Sequence, residues 1–142
     1  MKNIGVLFFV FTFFSITALA EEVTISIKGV RNTKGKLRIG IFKDQASFEK
    51  ETPFRSIELS KSGLFKGTLK CTIDLPKGEY GFALLDDENN NEEMDKSFLG
   101  IPQEGYGFSN YDHSGIFAPV FEDFKFLVRK GANLVKMRLK YL

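Results

Sequence analysis

The chain has 142 residues, 43% of them hydrophobic and 27% charged, with 16 Phe and no Trp. That length suits one domain, and the composition excludes wholesale disorder. Twenty basic residues against 18 acidic ones leave a formal charge of +2, and no basic run interleaves with aromatics, which argues against nucleic acid as a partner.

At the N-terminus Lys2 precedes an apolar run from Ile4 to Ile16 and then Ala18-Leu19-Ala20. This is the order of a secretory signal peptide: a basic end, a short apolar core and small residues before the cut. Cleavage after Ala20 leaves Glu21 as the first of 122 mature residues. The apolar run is shorter than the roughly 20 residues a membrane-spanning helix needs. Residues 1–20 are therefore read as signal and 21–142 as a single domain, periplasmic or secreted, with no transmembrane segment after cleavage. Cys71 is the only cysteine. It has no partner for an internal disulfide, and it alternates with Leu69, Ile73 and Leu75 as a small buried hydrophobe would.

Val23, Ile25 and Ile27 alternate with Thr24 and Ser26, the period of a half-buried strand. After a turn at Asn32-Thr33-Lys34-Gly35, Leu37, Ile39 and Ile41 repeat the alternation, so the two strands are expected to form a hairpin. Gln45 to Lys50 suits one helical turn capped by Asp44, with Phe48 and Phe54 pinning it to the core. Arg55–Ser60 alternates again, Lys61-Ser62-Gly63 marks a turn, and Thr68–Leu75 is a further strand. Tyr80–Leu85 is almost wholly apolar, which predicts a central strand covered on both faces. Phe121–Val128 and Val135–Tyr141 complete the set. About seven short strands without a normal-length helix predict an all-β fold, an antiparallel β-sandwich. A small membrane barrel needs strands of about 9–11 residues, longer than most of these.

Between the last two groups of strands lies Asp86 to Tyr111. Its first half holds Asp86, Asp87, Glu88, Glu92, Glu93 and Asp95 with three Asn and no Lys or Arg. Counted from Asp87, oxygen-bearing side chains recur at every second residue: Asp87, Asn89, Asn91, Glu93, Asp95. Loops that encircle calcium supply ligands at positions 1, 3, 5, 7 and 9, and an all-oxygen set favours Ca2+ or Mg2+ over zinc or copper. Two positions depart from that scheme. Position 6, where glycine is preferred, is Glu92, and position 12, where a bidentate Glu is preferred, is Phe98. Asn90 or Asn91 is suited to the left-handed turn, and Glu104 or Asp112 to supplying the missing carboxylate. A solvated acidic turn fits the same residues.

The second half is a Gly- and aromatic-rich loop in which Glu104, Tyr106, Phe108, Asn110 and Tyr111 are candidates for a ligand surface, with rings able to stack on a sugar or to cover the core edge. His113 is the only histidine and is expected at the surface beside Asp112. With no second histidine near a Ser or Cys candidate, neither a catalytic triad nor a histidine-rich metal site is assembled, so the chain is read as non-enzymatic.

Leu75-Pro76-Lys77-Gly78-Glu79-Tyr80-Gly81, Asp87-Glu88-Asn89-Asn90-Asn91 with Asp95, the block Leu99-Gly100-Ile101-Pro102-Gln103-Glu104-Gly105-Tyr106-Gly107-Phe108-Ser109-Asn110, and Pro119 to Phe126 together resemble the DUF2141 family of exported bacterial proteins. The resemblance runs from Gly40-Ile41-Phe42 onward. It implies a prealbumin- or immunoglobulin-like sandwich in the cell envelope, with an unknown envelope or extracellular ligand, and names no reaction. Members usually read D-E-N-G-N-G, and here Asn90 and Glu92 stand at the two glycines. Hydrolases on transthyretin-like folds, the enzymatic alternative, resemble clusters of several histidines, which this chain lacks.

Overall fold

The computed structural model describes residues 19–142; all but the last two residues of the expected signal segment lie outside the described residues. Among the described residues eight strands form two sheets. In the smaller, β4 (Thr68–Pro76), β1 (Ala20–Lys28) and β8 (Asn133–Arg138) lie in the order β4-β1-β8. In the larger, β3 (Arg55–Ser60), β2 (Lys36–Phe42), β5 (Gly78–Asp87) and β6 (Gly105–Phe108) run in that order, and β7 (Lys125–Val128) also pairs with β5.

The alternating apolar residues do what their period dictates. Val23, Ile25 and Ile27 of the small sheet and Leu37, Ile39 and Ile41 of the large one are fully buried in one shared cluster with Phe82, Leu84, Val135 and Met137. The two sheets therefore face each other across a single core. A second cluster, Phe42, Tyr106, Phe108, Phe121 and Phe124, fills a separate part of the interior. β5 is central, as its double-sided apolarity requires, pairing with β2, β6 and β7.

Several expectations are corrected. The first two strands are not a hairpin: β1 and β2 lie in different sheets, because the segment between them crosses the edge of the core with Val30 buried. Pairing is not wholly antiparallel, since β8 runs parallel to β1. The segment read as a strand from Phe121 begins as a helical turn, α2 (Phe121–Phe124). Spacing of three residues puts both of its Phe rings in the second cluster, where strand spacing would have put them on opposite faces. The helical turn α1 (Gln45–Glu49) forms as expected, with the Asp44 carboxylate accepting the Ser47 N–H at 2.7 Å. Phe48 joins the second cluster, but Phe54 is half exposed, with Lys43 over its ring. Cys71 is half-buried, and burial pushes its thiol up from the ordinary value.

Candidate functional site

The acidic stretch divides at the end of β5. Asp86 and Asp87 are still in the strand and are both fully buried. Each has a cation supplied from far along the chain. Lys61, at the start of a 3-10 turn (Lys61–Gly63), is itself buried and meets Asp86 Oδ1, while Tyr141 donates its O–H to Asp86 Oδ2 at 2.5 Å. Burial and that bond raise the Tyr141 phenol above its ordinary range. Arg38 of β2 donates Nε–H to Asp87 Oδ2 at 2.6 Å. Burial pushes Asp87 up, but Arg38 and two backbone N–H groups outweigh it, so Asp87 lies below its ordinary value and is a carboxylate at neutral pH. The absence of Lys and Arg from this stretch is thus a property of the sequence and not of the space around it.

Beyond Asp87 the backbone curls. Asp87 accepts the N–H groups of Asn91 at 3.1 Å and Glu92 at 3.0 Å. Two left-handed residues make the curl possible, Asn90 at φ 59° and Glu92 at φ 69°. Asn89 and Asn91 then converge on Asp95: the Asn89 amide donates to Asp95 Oδ2 at 2.6 Å and the Asn91 amide to Oδ1 at 2.8 Å. Their carbonyl oxygens accept the N–H groups of Asn91 and Glu93.

Of the five proposed ligands, Asn89, Asn91 and Asp95 come together at one point. Asp87 braces the curl from beneath, and the Glu93 side chain stays in solvent. Among the described residues no three His, Cys, Asp or Glu side chains gather as a metal set.

Glu104 lies under the loop. It is buried and accepts the N–H of Glu88 at 3.1 Å and of Asp95 at 3.3 Å, so one carboxylate ties the loop's beginning to its end. Burial holds Glu104 above its ordinary value, with the Asp95 and Asp87 charges adding to the effect. Asp112, the other suggested donor, is elsewhere, 3.8 Å from Arg138. Phe98 at position 12 is 96% exposed at the tip of a short arm in which Gly100 donates its N–H to the Ser97 carbonyl.

The Gly-aromatic block contains a strand, β6. Tyr106 and Phe108 point into the second core cluster and are buried. Gly105 and Gly107 face the other way, where a Cβ would fall 2.4 Å from the Tyr141 ring and 2.4 Å from the Arg138 carbonyl oxygen. The chain end passes against this side, and Tyr106 and Lys140 exchange backbone hydrogen bonds. Buried Ser109 accepts the Phe82 N–H at 2.8 Å and donates to the Phe124 carbonyl at 2.6 Å. Asn110 bonds the backbone of Lys136 through its own N–H at 2.7 Å and its side-chain oxygen at 2.9 Å. The block therefore sews β5, α2 and β8 together, and of its ligand-surface candidates only Asn110 and half-buried Tyr111 reach the outside. His113 is not a surface partner of Asp112. It packs against the Tyr106, Phe108 and Tyr111 rings with Nε2 2.7 Å from the Phe117 carbonyl.

Arg38, Lys61 and Tyr141 escaped sequence reasoning. Each stands within or beside a segment read for its apolar residues or its turn, and only the folded register brings it to a carboxylate.

Fold and site define a mostly β protein of two sheets sharing a core, with a curled acidic loop at the end of its central strand. The chain belongs to the DUF2141 family, described as uncharacterized protein conserved in bacteria, whose family model matches residues 25–136. No curated protein and no solved structure matches it. No helix among the described residues is long and apolar enough to cross a membrane.

Left-handed φ costs a non-glycine residue roughly 1–2 kcal/mol. The glycines that the resemblance implies for this loop fall at Asn90 and Glu92, two residues that adopt it. Glu92→Gly is expected to stabilise the domain by about 1 kcal/mol in urea unfolding, because the exposed Glu92–Arg38 contact that it removes is worth little. A loss of stability would show that this contact, rather than the dihedral, dominates at Glu92.

Proposed function

We propose that this protein is an exported, non-enzymatic β-sandwich module of the prealbumin or immunoglobulin kind, whose loop from Asp87 to Asp95 binds Ca2+. The observation that carries the reading is the curl itself. The first carboxylate accepts the N–H groups of positions 5 and 6, and the side chains of positions 3, 5 and 9 then meet. A cation at that point replaces the two amide donors to Asp95, drawing on oxygens of Asn89, Asn91 and Asp95 and completing its shell with water, as hard cations accept. Export is supported by the Lys2, Ile4–Ile16 and Ala18-Leu19-Ala20 pattern. The non-enzymatic reading is supported by a lone histidine packed against three aromatic rings and by a thiol whose pKa burial raises.

The test is thermal unfolding of the mature domain in Ca2+ and in chelator, with Mg2+ alongside. At 100 times the dissociation constant, Ca2+ is expected to add about 2.7 kcal/mol by mass action. Asn89→Ala with Asp95→Ala, which leaves buried Asp87 in place, is expected to remove the response. An unchanged transition in the native domain overturns the assignment.

A further inference from the structure

The outward face of the small sheet carries a second feature, sharing no residue with the acidic loop. Thr24, Ser26 and Lys28 of β1, Thr68 and Lys70 of β4, and Lys136 and Arg138 of β8 line a groove of about 840 Å3, with Asn110, Tyr111 and Asp112 along one wall. The register sets its pattern. Lys70 and Lys136 flank Ser26 on either side, and Thr68 and Arg138 flank Lys28. Strands lie about 4.8 Å apart, so the short Ser26 side chain forms a trough between two lysines whose backbones are roughly 10 Å apart.

Like charges placed across a sheet cost stability, yet the groove is lined by four cations and a single carboxylate, Asp112, which lies against Arg138; Glu22 and Asp74 of the same face are paired further along the strands, outside the groove. Among the described residues Lys28, Lys70 and Lys136 make no ion pair, although charges in the chain as a whole nearly balance. All four cations are exposed.

We propose that this groove binds an anionic polysaccharide, its carboxylate or sulfate groups paired by Lys28, Lys70, Lys136 and Arg138 and a sugar ring lying beside Tyr111. Charge complementarity selects a polyanion. The lining distinguishes among polyanions: beside exposed Leu134 it offers the hydroxyls of half-buried Thr24 and Thr68, which suit a polyol, and its wall offers one aromatic ring rather than the series of rings on which single-stranded bases stack.

Binding of the mature protein to heparin, to polygalacturonate and to neutral dextran separates the sources of charge, and a single-stranded DNA oligonucleotide tests the polymer class. One or both acidic glycans are expected to bind, dextran is not, and DNA is expected to bind more weakly. With four contacts released, affinity should fall roughly 50-fold between about 50 and 200 mM salt by counterion release. Lys70→Glu with Lys136→Glu is expected to weaken binding at least roughly tenfold at the lower salt with an unchanged melting profile. Lys50→Glu with Lys130→Glu, the same charge change away from the groove, leaves binding intact. No acidic glycan bound at low salt, equal loss in the two double variants, or DNA bound as tightly as the glycans each overturns the proposal. The Ca2+ response of the acidic loop is scored separately in the same preparations and does not depend on the outcome.

Discussion

Replacing Lys61 by Met is expected to cost the domain about 3–5 kcal/mol, the range found when one partner of a buried ion pair is removed. The side chains of Lys61 and Asp86 are 1% and 0% exposed, so neither has water to fall back on. Without the ammonium, Asp86 Oδ1 is left with no donor, and the Tyr141 hydroxyl on Oδ2 cannot neutralise the charge. The Lys34 carbonyl, which accepts from Lys61 Nζ at 2.5 Å, is orphaned as well. The pair spans the turn after β3, the end of β5 and the chain terminus, so its rupture loosens three places at once. Urea unfolding measures the effect. Lys61→Met combined with Asp86→Leu should recover most of the loss, because apolar residues of similar volume often replace a buried pair without penalty. A cost below about 1 kcal/mol for the single variant would mean that water reaches Asp86 in solution, against the enclosure described above.

What the sequence made legible follows from what side-chain period can report. Alternation tells which face of a strand is apolar. Val23, Ile25 and Ile27, and Leu37, Ile39 and Ile41, are all fully buried, as their period requires. It does not tell which sheet a strand joins, because an inward face looks the same from either side of a shared core. Hence the expected hairpin between β1 and β2 proves to be a crossing between sheets, and the parallel partnership of β1 with β8, residues more than a hundred positions apart, left no local trace.

The acidic loop was visible because its residues are contiguous; what divides it was not. Asp86 and Asp87 continue the charge run in sequence, but in space they belong to β5, Lys61 and Arg38. The Gly-Tyr-Gly-Phe-Ser-Asn block shows the converse. Its composition reads as a loop, yet its glycines are small because the chain end lies against them, and its aromatics fill a core. A motif specific enough to mark a family here records a packing requirement, and of that block only Asn110 is exposed, at the border of the basic groove.

Gly35→Ala is expected to be nearly as damaging as the loss of Lys61, for a reason that bears directly on the acidic loop. Gly35 sits at φ +63°, and a Cβ there would fall 1.9 Å from the Asp87 carbonyl oxygen and 2.7 Å from Glu88 Cα. These are backbone atoms and cannot swing aside. The connection between β1 and β2 is thus the surface on which the loop's first residues rest, held there also by Arg31 and Asn32 on the Glu88 carboxylate at 2.6 and 3.1 Å. Alanine adds a left-handed penalty of roughly 1–2 kcal/mol to an overpacking cost of roughly 1–3 kcal/mol, giving a loss of about 2–5 kcal/mol. Gly131→Ala isolates the first contribution, since Gly131 has φ +99° and nothing within 4 Å of its would-be Cβ, and should cost only about 1–2 kcal/mol. The difference between the two variants measures how firmly the loop is seated. Because displacing Asp87 and Glu88 also moves the carboxylate that receives the Asn91 and Glu92 N–H groups, Gly35→Ala should blunt the Ca2+ response of the molecules that remain folded, while Gly131→Ala should preserve it. Equal stability losses in the two variants, with the Ca2+ response intact in both, would show that the loop keeps its curl without the support of Gly35, and that the curl is encoded within Asp87 to Asp95 alone.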